Sequence, residues 1–480
     1  MNHKIILYFV GWVMRIEGIL LLLPLAISIF YRESEWIYIL TIAAACFIIG
    51  AAISWKKPTN TSFYTREGFV AVALGWIILC VLGAMPLYQT GCVESFVDAF
   101  FETVSGFTTT GASILPDVEN IPKGVLFWRS FSHWVGGMGV LVFVLAFLPL
   151  AAGDGIHIMR AESPGPSVGK LVPKVKSTAK ILYGIYVGIT VIEIIVLCIS
   201  GLPLFDSTLL TFGCVGTGGF GIKNDSAASY TTFQQGIITF FMIVCGVNFN
   251  VYFLFIGKQF KEAFSSEEVK AYLGILAFAA VTIAINVRNF FPNFFSSLHH
   301  SLFQVASCMT TTGFSTVDFD MWPTYSKITL LIVMFVGGCA GSTAGGLKVS
   351  RIVIAFKTIR KEMSSLIHPR SVKVLKFEGK VIEHSVLRSV NVYYMTYLLI
   401  FAISVLLISI DGKDVVTTIT SVIATFNNIG PGLGGCGPAT NYSQFGTFAK
   451  WVLSFDMLAG RLELFPILLL FTSRTWKNQL

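Results

Sequence analysis

Charge is scarce in this chain. Only 12% of its 480 residues are Asp, Glu, Lys or Arg, and 54% are hydrophobic. A soluble domain carries about twice that charge, so the soluble classes are excluded at the outset. The nine cysteines form no CxxC pair and no metal-ligand spacing; most lie in apolar segments, where a small polarizable residue packs well. No Walker sequence is present, and the GxG clusters lie in apolar segments instead of following a soluble strand, so no nucleotide site is expected in the chain itself. Seven scattered histidines offer no catalytic constellation, and the chain is not expected to be an enzyme. The opening MNHKIILYFVGW has no small-residue cleavage site and reads as a first membrane span instead of a removable signal.

What is abundant is apolar sequence of spanning length. A helix needs about 20 such residues to cross about 30 Å of hydrocarbon. Uncharged runs of that order occupy 36–55, 68–93, 130–153, 226–257, 271–287, 328–347 and 389–410, and spans bearing a few charges occupy 5–30, 178–202 and 445–473. Ten spans are expected. The net charge of +8 matters through its placement. Basic residues gather at 56–66, 170–180, 258–270 and most densely at 348–380, where nine bases stand against two acids. The alternate loops carry Glu94, Asp98, Glu102, Asp117, Glu119, Asp411 and Asp414. Basic loops face the cytoplasm, which places both termini inside. Their dispersal over several loops also argues against nucleic acid as a partner.

A polar sequence recurs within this apolar chain. TTTG occurs at 108–111 in FETVSGFTTTGAS and again at 310–313 in VASCMTTTGFSTVD, with looser echoes in TGGFG from Thr217 and NIGP from Asn428. The glycines Gly111, Gly219, Gly313 and Gly430 are 108, 94 and 117 residues apart, a repeat worth reading before anything else. Before each lies a span and then an amphipathic stretch of about a dozen residues, too short to cross a bilayer but suited to a re-entrant half-helix. After each comes a polar loop and another span with its own glycine: Gly137, Gly246, Gly338 and Gly460. The unit of span, half-helix, Thr/Gly loop and span therefore occurs four times. The expected fold is an all-α polytopic membrane protein, with four such units around one central pore and two extra N-terminal helices. The expected divisions are 1–60 for the extra helices, 61–165 for repeat 1 (loop 107–113) and 166–262 for repeat 2 (loop 215–221). Repeat 3 runs over 263–380 (loop 310–316, then a gating loop 337–348 and the basic cytoplasmic loop), and repeat 4 over 381–480 (loop 427–433).

Such an arrangement suits a cation. Non-helical backbone is tolerated at membrane depth only where it is buried in protein or lines a water-filled cavity. A half-helix ending there directs a partial negative charge of about half an electron beyond its C-terminus. Backbone carbonyls can then replace an ion's hydration shell, glycine permits the unusual dihedrals that aim them, and threonine adds a hydroxyl oxygen. The alternative is four small-residue motifs for helix packing, which leaves the half-helices and the regular order unexplained.

From about residue 67 to the end, this organisation resembles the Trk/Ktr/HKT superfamily of potassium transporters, and the two extra N-terminal spans are similar to its TrkH-like branch. By that resemblance Gly111, Gly219, Gly313 and Gly430 are filter glycines, one per loop, and glycine at all four implies potassium preference. Thr109, Thr110, Thr217, Gly218, Thr311, Thr312, Asn428 and Ile429 would complete a filter that binds K+ as the transported ion. No loop reads TVGYG, and the fourth carries Asn and Ile, so a smaller selectivity margin than in a potassium channel is expected. The resemblance further implies a bacterial inner-membrane location, a homodimer and a cytosolic ring-forming nucleotide-binding regulatory subunit. Membrane lipid surrounds the chain.

The stretch GGCAGSTAGGLK (337–348) holds five glycines, enough to break a helix at about 1 kcal/mol each relative to alanine. It reads as a kink, or as a flexible loop below the filter that can block the pore; the family has a gating loop in the corresponding place. Gly345 and Gly346 are its expected hinges, and Lys348 is a second cavity charge or a cytoplasmic anchor. Arg461, in SFDMLAGRLELFP, is either ion-paired with Glu463 or Asp456 or stands as a positive barrier below the filter, the role the family favours. Asn248 and Asn250 are candidates for lining the inner cavity or for bonding between helices, and Asp98 and Glu94 for concentrating cations at the entrance. His133 is expected to satisfy a local hydrogen bond. The alternative function is a proton- or sodium-coupled potassium symporter, for which Glu193 and Glu463 are the candidate carboxylates.

Overall fold

The computed structural model of the chain describes residues 1–59, 64–139, 175–370 and 373–476. The inner part of the expected span 130–153, the boundary at 165/166 and the basic residues from 170 to 174 lie outside them. Among the described residues six helices are long and apolar enough to cross a membrane, or seven if one bent pair is counted as a span. The N-terminal pair, His3–Leu20 and Trp36–Ile53, packs through small residues. A Cβ on Gly11 would lie 2.9 Å from the Gly50 carbonyl oxygen and one on Gly18 would lie 2.8 Å from that of Ala43, the close approach that only glycine allows between membrane helices.

The rest of the chain runs through one order of elements four times. Long helices Thr65–Gly83, Val175–Ile199, Glu267–Asn286 and His384–Ile408 are each followed by a shorter one. These are Phe96–Phe107, Leu204–Val215, Phe294–Met309 and Val415–Phe426. Ser95, Asn293 and Asp414 cap three of the four, and Asp98 and Asp206 stand in the first turns of Phe96–Phe107 and Leu204–Val215, where an acid suits the helix dipole. At 12–16 residues they extend roughly 18–24 Å and do not reach across a bilayer.

The helices after each loop depart from the expected long spans. They are Lys123–Gly137, Thr232–Cys245, Thr324–Val336 and Thr447–Arg461, of 13–15 residues. Each stops at or beside its glycine. Thr232–Cys245 turns by 91° into Phe249–Ile256; beyond Arg461 the chain passes through Glu463 and Leu464 at φ 56° and 69°. A Cβ on Gly136 would overlap the Phe107 carbonyl oxygen, and one on Gly460 that of Phe426, so in these two units the glycine lies against the C-terminus of the short helix. In the first unit Gly136 makes this contact, while its neighbour Gly137 abuts Gly216. A further departure is a two-stranded ladder, Lys376–Phe377 with Lys380–Val381, in an otherwise helical chain. Glu378 and Gly379, at φ 49° and 72°, form the tight turn that such a hairpin requires.

The outer loops are joined in a cycle. Arg129 donates to Glu102 at 2.7 Å and to the Gly221 carbonyl at 2.9 Å, with its guanidinium 3.6 Å from the Phe220 ring centre. Glu102 also accepts from Ser113 Oγ at 2.9 Å and the Ile114 amide at 2.8 Å, tying the first loop to the second. Ser315 accepts from the Ala227 amide at 2.9 Å, joining second to third. Asp320 accepts from the Gly434 amide at 3.1 Å, joining third to fourth. Tyr442 donates its amide to the Ser113 carbonyl at 2.8 Å and its hydroxyl to that of Gly430 at 2.7 Å, closing fourth onto first.

Because Glu102 and Arg129 are both buried, removing one partner strands the other. Arg129→Ala is expected to destabilise the fold by about 3–5 kcal/mol, read as a lower thermal midpoint in detergent. Glu102→Leu in the same chain should recover part of that loss; a double variant as unstable as the single would show that the ion pair is not the cause.

Candidate cation-binding site

The four short helices end alike. The first residue beyond each is Thr108, Gly216, Thr310 or Asn427, and the next is Thr109, Thr217, Thr311 or Asn428, at φ 55°, 54°, 55° and 56°. The third residue, Thr110, Gly218, Thr312 or Ile429, donates its amide to the carbonyl five residues back: Ser105 at 2.9 Å, Gly213 at 2.8 Å, Ser307 at 2.8 Å and Ala424 at 2.8 Å. That bond with a left-handed residue before it is the Schellman ending of a helix. Glycine or asparagine usually occupies the left-handed place; three of the four here are threonines, whose branched Cβ makes this conformation costly.

The fourth residue is glycine every time, at φ 78°, 76°, 89° and 98° for Gly111, Gly219, Gly313 and Gly430. These glycines also make the loops into a ring. A Cβ on Gly111 would overlap the Gly218 carbonyl oxygen, one on Gly219 that of Thr312 and one on Gly313 that of Ile429; one on Gly430 would lie 2.7 Å from that of Thr110. Each glycine thus faces the third residue of the next loop, first to second to third to fourth and back to first. All twelve residues named from the sequence come together here. Beside the ring a cavity open to solvent is lined by all four glycines with Arg129, Asn224, Ser315 and Tyr442.

Polar atoms crowd the ring from behind. Thr108 Oγ1 lies 2.8 Å from Thr110 Oγ1, and Thr310 Oγ1 lies 2.8 Å from Thr312 Oγ1. Asn428 donates to Thr110 Oγ1 at 3.0 Å and to the Met457 carbonyl at 2.9 Å; Tyr397 donates to Asn427 Oδ1 at 2.9 Å. Thr108, Thr310 and Asn427 stand outside the set named from sequence. Their signal was the register of the helix end, which a Thr/Gly pattern does not reveal.

Residues 337–348 form a non-helical loop between Thr324–Val336 and Val349–Ile367, pressed against the ring. The Gly345 amide donates to Thr311 Oγ1 at 2.6 Å and that of Gly346 to the Asn427 carbonyl at 3.1 Å. Gly346, at φ 75°, is one of its turning points, as are Gly337 and Gly341, which the sequence reading did not single out. Lys348 is buried and donates to the Ala344 carbonyl within the same loop. Arg461 donates to Thr109 Oγ1 at 3.1 Å and to the carbonyls of Thr343, Gly136 and Gly137 at 3.0, 2.5 and 2.9 Å. Its guanidinium touches ring, loop and helix C-terminus at once.

The expected carboxylate partners of Arg461 are engaged elsewhere. Glu463 pairs with Arg351, and Asp456 accepts from Ser404 Oγ at 2.6 Å. Glu463 is therefore committed to an ion pair, while Glu193 is buried on Val175–Ile199. Asp98 pairs with Lys450 at 2.5 Å, which removes it as a free attractor of cations, and Glu94 is exposed. Asn248 caps Phe249–Ile256 by accepting from the Asn250 amide at 2.9 Å.

Glu268 is the residue that sequence reasoning missed. An acid in the first turn of a helix reads as a dipole partner, yet this buried side chain accepts from the Ala340 amide at 2.7 Å and the Ser350 amide at 3.1 Å. One carboxylate oxygen thereby holds both ends of the loop. Glu268→Ala strands two buried amides, at about 1–3 kcal/mol each. Amide hydrogen exchange across 337–350 is expected to accelerate by about tenfold or more; unchanged protection would show that the loop is held by other contacts.

Comparison with known proteins covers the whole chain. A family model described as TrkH, cation transport protein, matches residues 38–286 and 292–478. The Trk system potassium uptake protein TrkH of Salmonella typhimurium is 34% identical over 485 residues, covering 100% of both chains. The Trk system potassium uptake protein TrkG of Escherichia coli K12 is 30% identical, covering 99% of each. The crystal structure of the potassium transporter TrkH from Vibrio parahaemolyticus superposes with a TM-score of 0.89 at 30% identity, over 99% of this chain and 100% of that one.

Proposed function

The chain belongs to the TrkH cation transport family, and from that premise we propose that it takes up potassium through a selectivity filter formed by the four ring loops. The observation that carries this reading is the cyclic ring itself. Four left-handed residues alternate with four glycines that abut the next loop's carbonyls. Alternating the sign of φ lets successive carbonyls turn to one side, which a regular strand does not. Four helix C-termini behind the ring add negative potential. Potassium, whose hydration shell carbonyl oxygens can replace, is the ion this chemistry suits and the one in the relatives' names.

The loop 337–348 serves in this reading as the gate. It bonds to Thr311 and Asn427 on the ring, so an ion leaving the filter meets it first. Arg461 adds a positive charge within one hydrogen bond of Thr109 and raises the barrier further. Gating then amounts to displacing the loop and this charge together. The relatives are components of a Trk system, and the basic cytoplasmic stretch 348–380 offers a face for a cytosolic nucleotide-binding ring. A homodimer in the bacterial inner membrane with both termini inside completes the assignment.

Rubidium uptake into proteoliposomes tests the filter. The wild type should take up rubidium and be inhibited by potassium far more than by sodium. Gly313→Ser places a side chain against the Ile429 carbonyl at φ 89° and should lower the potassium-to-sodium ratio by about tenfold or more. An unchanged ratio would sink the filter reading. Arg461→Ala is expected to raise basal uptake several-fold at the same protein density, and a fall would remove its role as a barrier.

A further inference from the structure

The second loop differs from the others at its third position. Thr110, Thr312 and Ile429 bring side chains there, and Gly218 brings none. The space is filled all the same. A Cβ on Gly218 would overlap Nδ1, Cε1 and Cγ of His133, a side chain from Lys123–Gly137. The imidazole is 0% exposed and lies 4.1 Å, centre to centre, from the Phe220 ring of the same loop. The backbone approaches as closely: a Cβ on Gly216 would lie 2.5 Å from the His133 carbonyl oxygen. One helix thus meets the second loop at two of its positions, and glycine is required at both.

Stability alone does not account for this histidine. Among the described residues neither imidazole nitrogen has a hydrogen-bond partner, and burying an unsatisfied polar ring costs free energy that a phenyl ring would avoid. The ring is rigid, with two side-chain torsions, and it occupies the place at Gly218 that a Cβ takes in Thr110 and Thr312 of the first and third loops.

We propose that His133 is a specificity-determining positioning residue, whose imidazole supplies from behind the side chain that Gly218 lacks and so fixes the second loop's place in the ring. The proposal rests on the filter reading above. It makes positions 133 and 218 a matched pair: a side chain belongs at one of them and not at both.

The test is a cycle of variants measured by rubidium uptake, with potassium and sodium as competitors. Gly218→Thr alone should collide with the imidazole and abolish selective uptake. His133→Ala should lower the potassium-to-sodium ratio by about tenfold. Combining the two should bring the ratio back to within about threefold of wild type, because a threonine at 218 then matches those at 110 and 312. If His133→Ala is not recovered as a monodisperse protein, His133→Gln, a flexible amide in place of the rigid ring, carries the same expectation of a lowered ratio. An unchanged ratio in the recovered His133 variant, or equal damage by Gly218→Thr whether histidine or alanine stands at 133, overturns the proposal. Gly313→Ser run alongside separates the causes. If it alters selectivity while the His133 variants do not, only this inference falls; if neither does, the filter reading falls with it.

Discussion

Four residues in a conformation that side chains rarely adopt hold the centre of this molecule together. Thr109, Thr217, Thr311 and Asn428 each turn left-handed two residues beyond a short helix, at a cost of order 1–3 kcal/mol for each threonine. The turn makes the backbone leave the helix axis at once, so that the next two residues meet the neighbouring loop. Such strain persists only where the surroundings over-determine it. Here the surroundings are the bond from the third residue back into the helix, the glycine packed on the next loop, and the outer cycle of contacts from Glu102 and Arg129 round to Tyr442. No single loop could keep this shape alone. Glycine would relieve the strain and remove the hydroxyls that Arg461 and Gly345 bind at Thr109 and Thr311.

The same ring organises what lies against it. The helices following each loop are short, and the backbone beyond them forms non-helical elements: the bend after Cys245, the loop 337–348 and the left-handed pair at Glu463 and Leu464. Loop 337–348 is not helical, and its backbone bonds run to neighbouring segments, among them Cys339 to the Gly246 carbonyl and Leu347 to that of Phe335, with side chains adding more. Glu268 binds its two ends, Thr311 and Asn427 its middle, and Arg351 reaches the Leu347 carbonyl while pairing with Glu463. In the proposed gate these contacts between the loop and its neighbours are the ones that opening has to break.

The hairpin at 376–381 connects to this loop through short links. Glu378, in the turn of the hairpin at 376–381, accepts from the Ser266 hydroxyl at 2.8 Å and the Glu268 amide at 3.0 Å. Lys357 bridges Glu267 at 2.6 Å and the Lys376 carbonyl at 2.8 Å. Hairpin, helix start and intramembrane loop therefore share neighbouring residues, and a force applied to the hairpin has a short route inward.

Much of this was legible in the sequence. The scarcity of charge and the apolar runs determined a membrane protein, since hydrocarbon admits little else. The spacing of Gly111, Gly219, Gly313 and Gly430 marked four short helices and four loops, because a dozen amphipathic residues between a span and a Thr/Gly cluster suit few other structures. The breaks in the following helices were not legible. Their glycines fit continuous spans equally well, and their close neighbours, such as Phe107 for Gly136 and Phe426 for Gly460, come from other helices. The partners of charged residues were also decided in three dimensions. Arg461 had two carboxylates close in sequence, yet it bonds to carbonyls from Gly136, Gly137 and Thr343 and to Thr109. Glu463 turns instead to Arg351, and His133 finds its place behind Gly218. Local pattern determines which segments fold into helices and where they end, because those choices depend on neighbours along the chain. Which groups meet at a buried centre depends on residues a hundred or more positions away, and only the closed ring of loops brings them together.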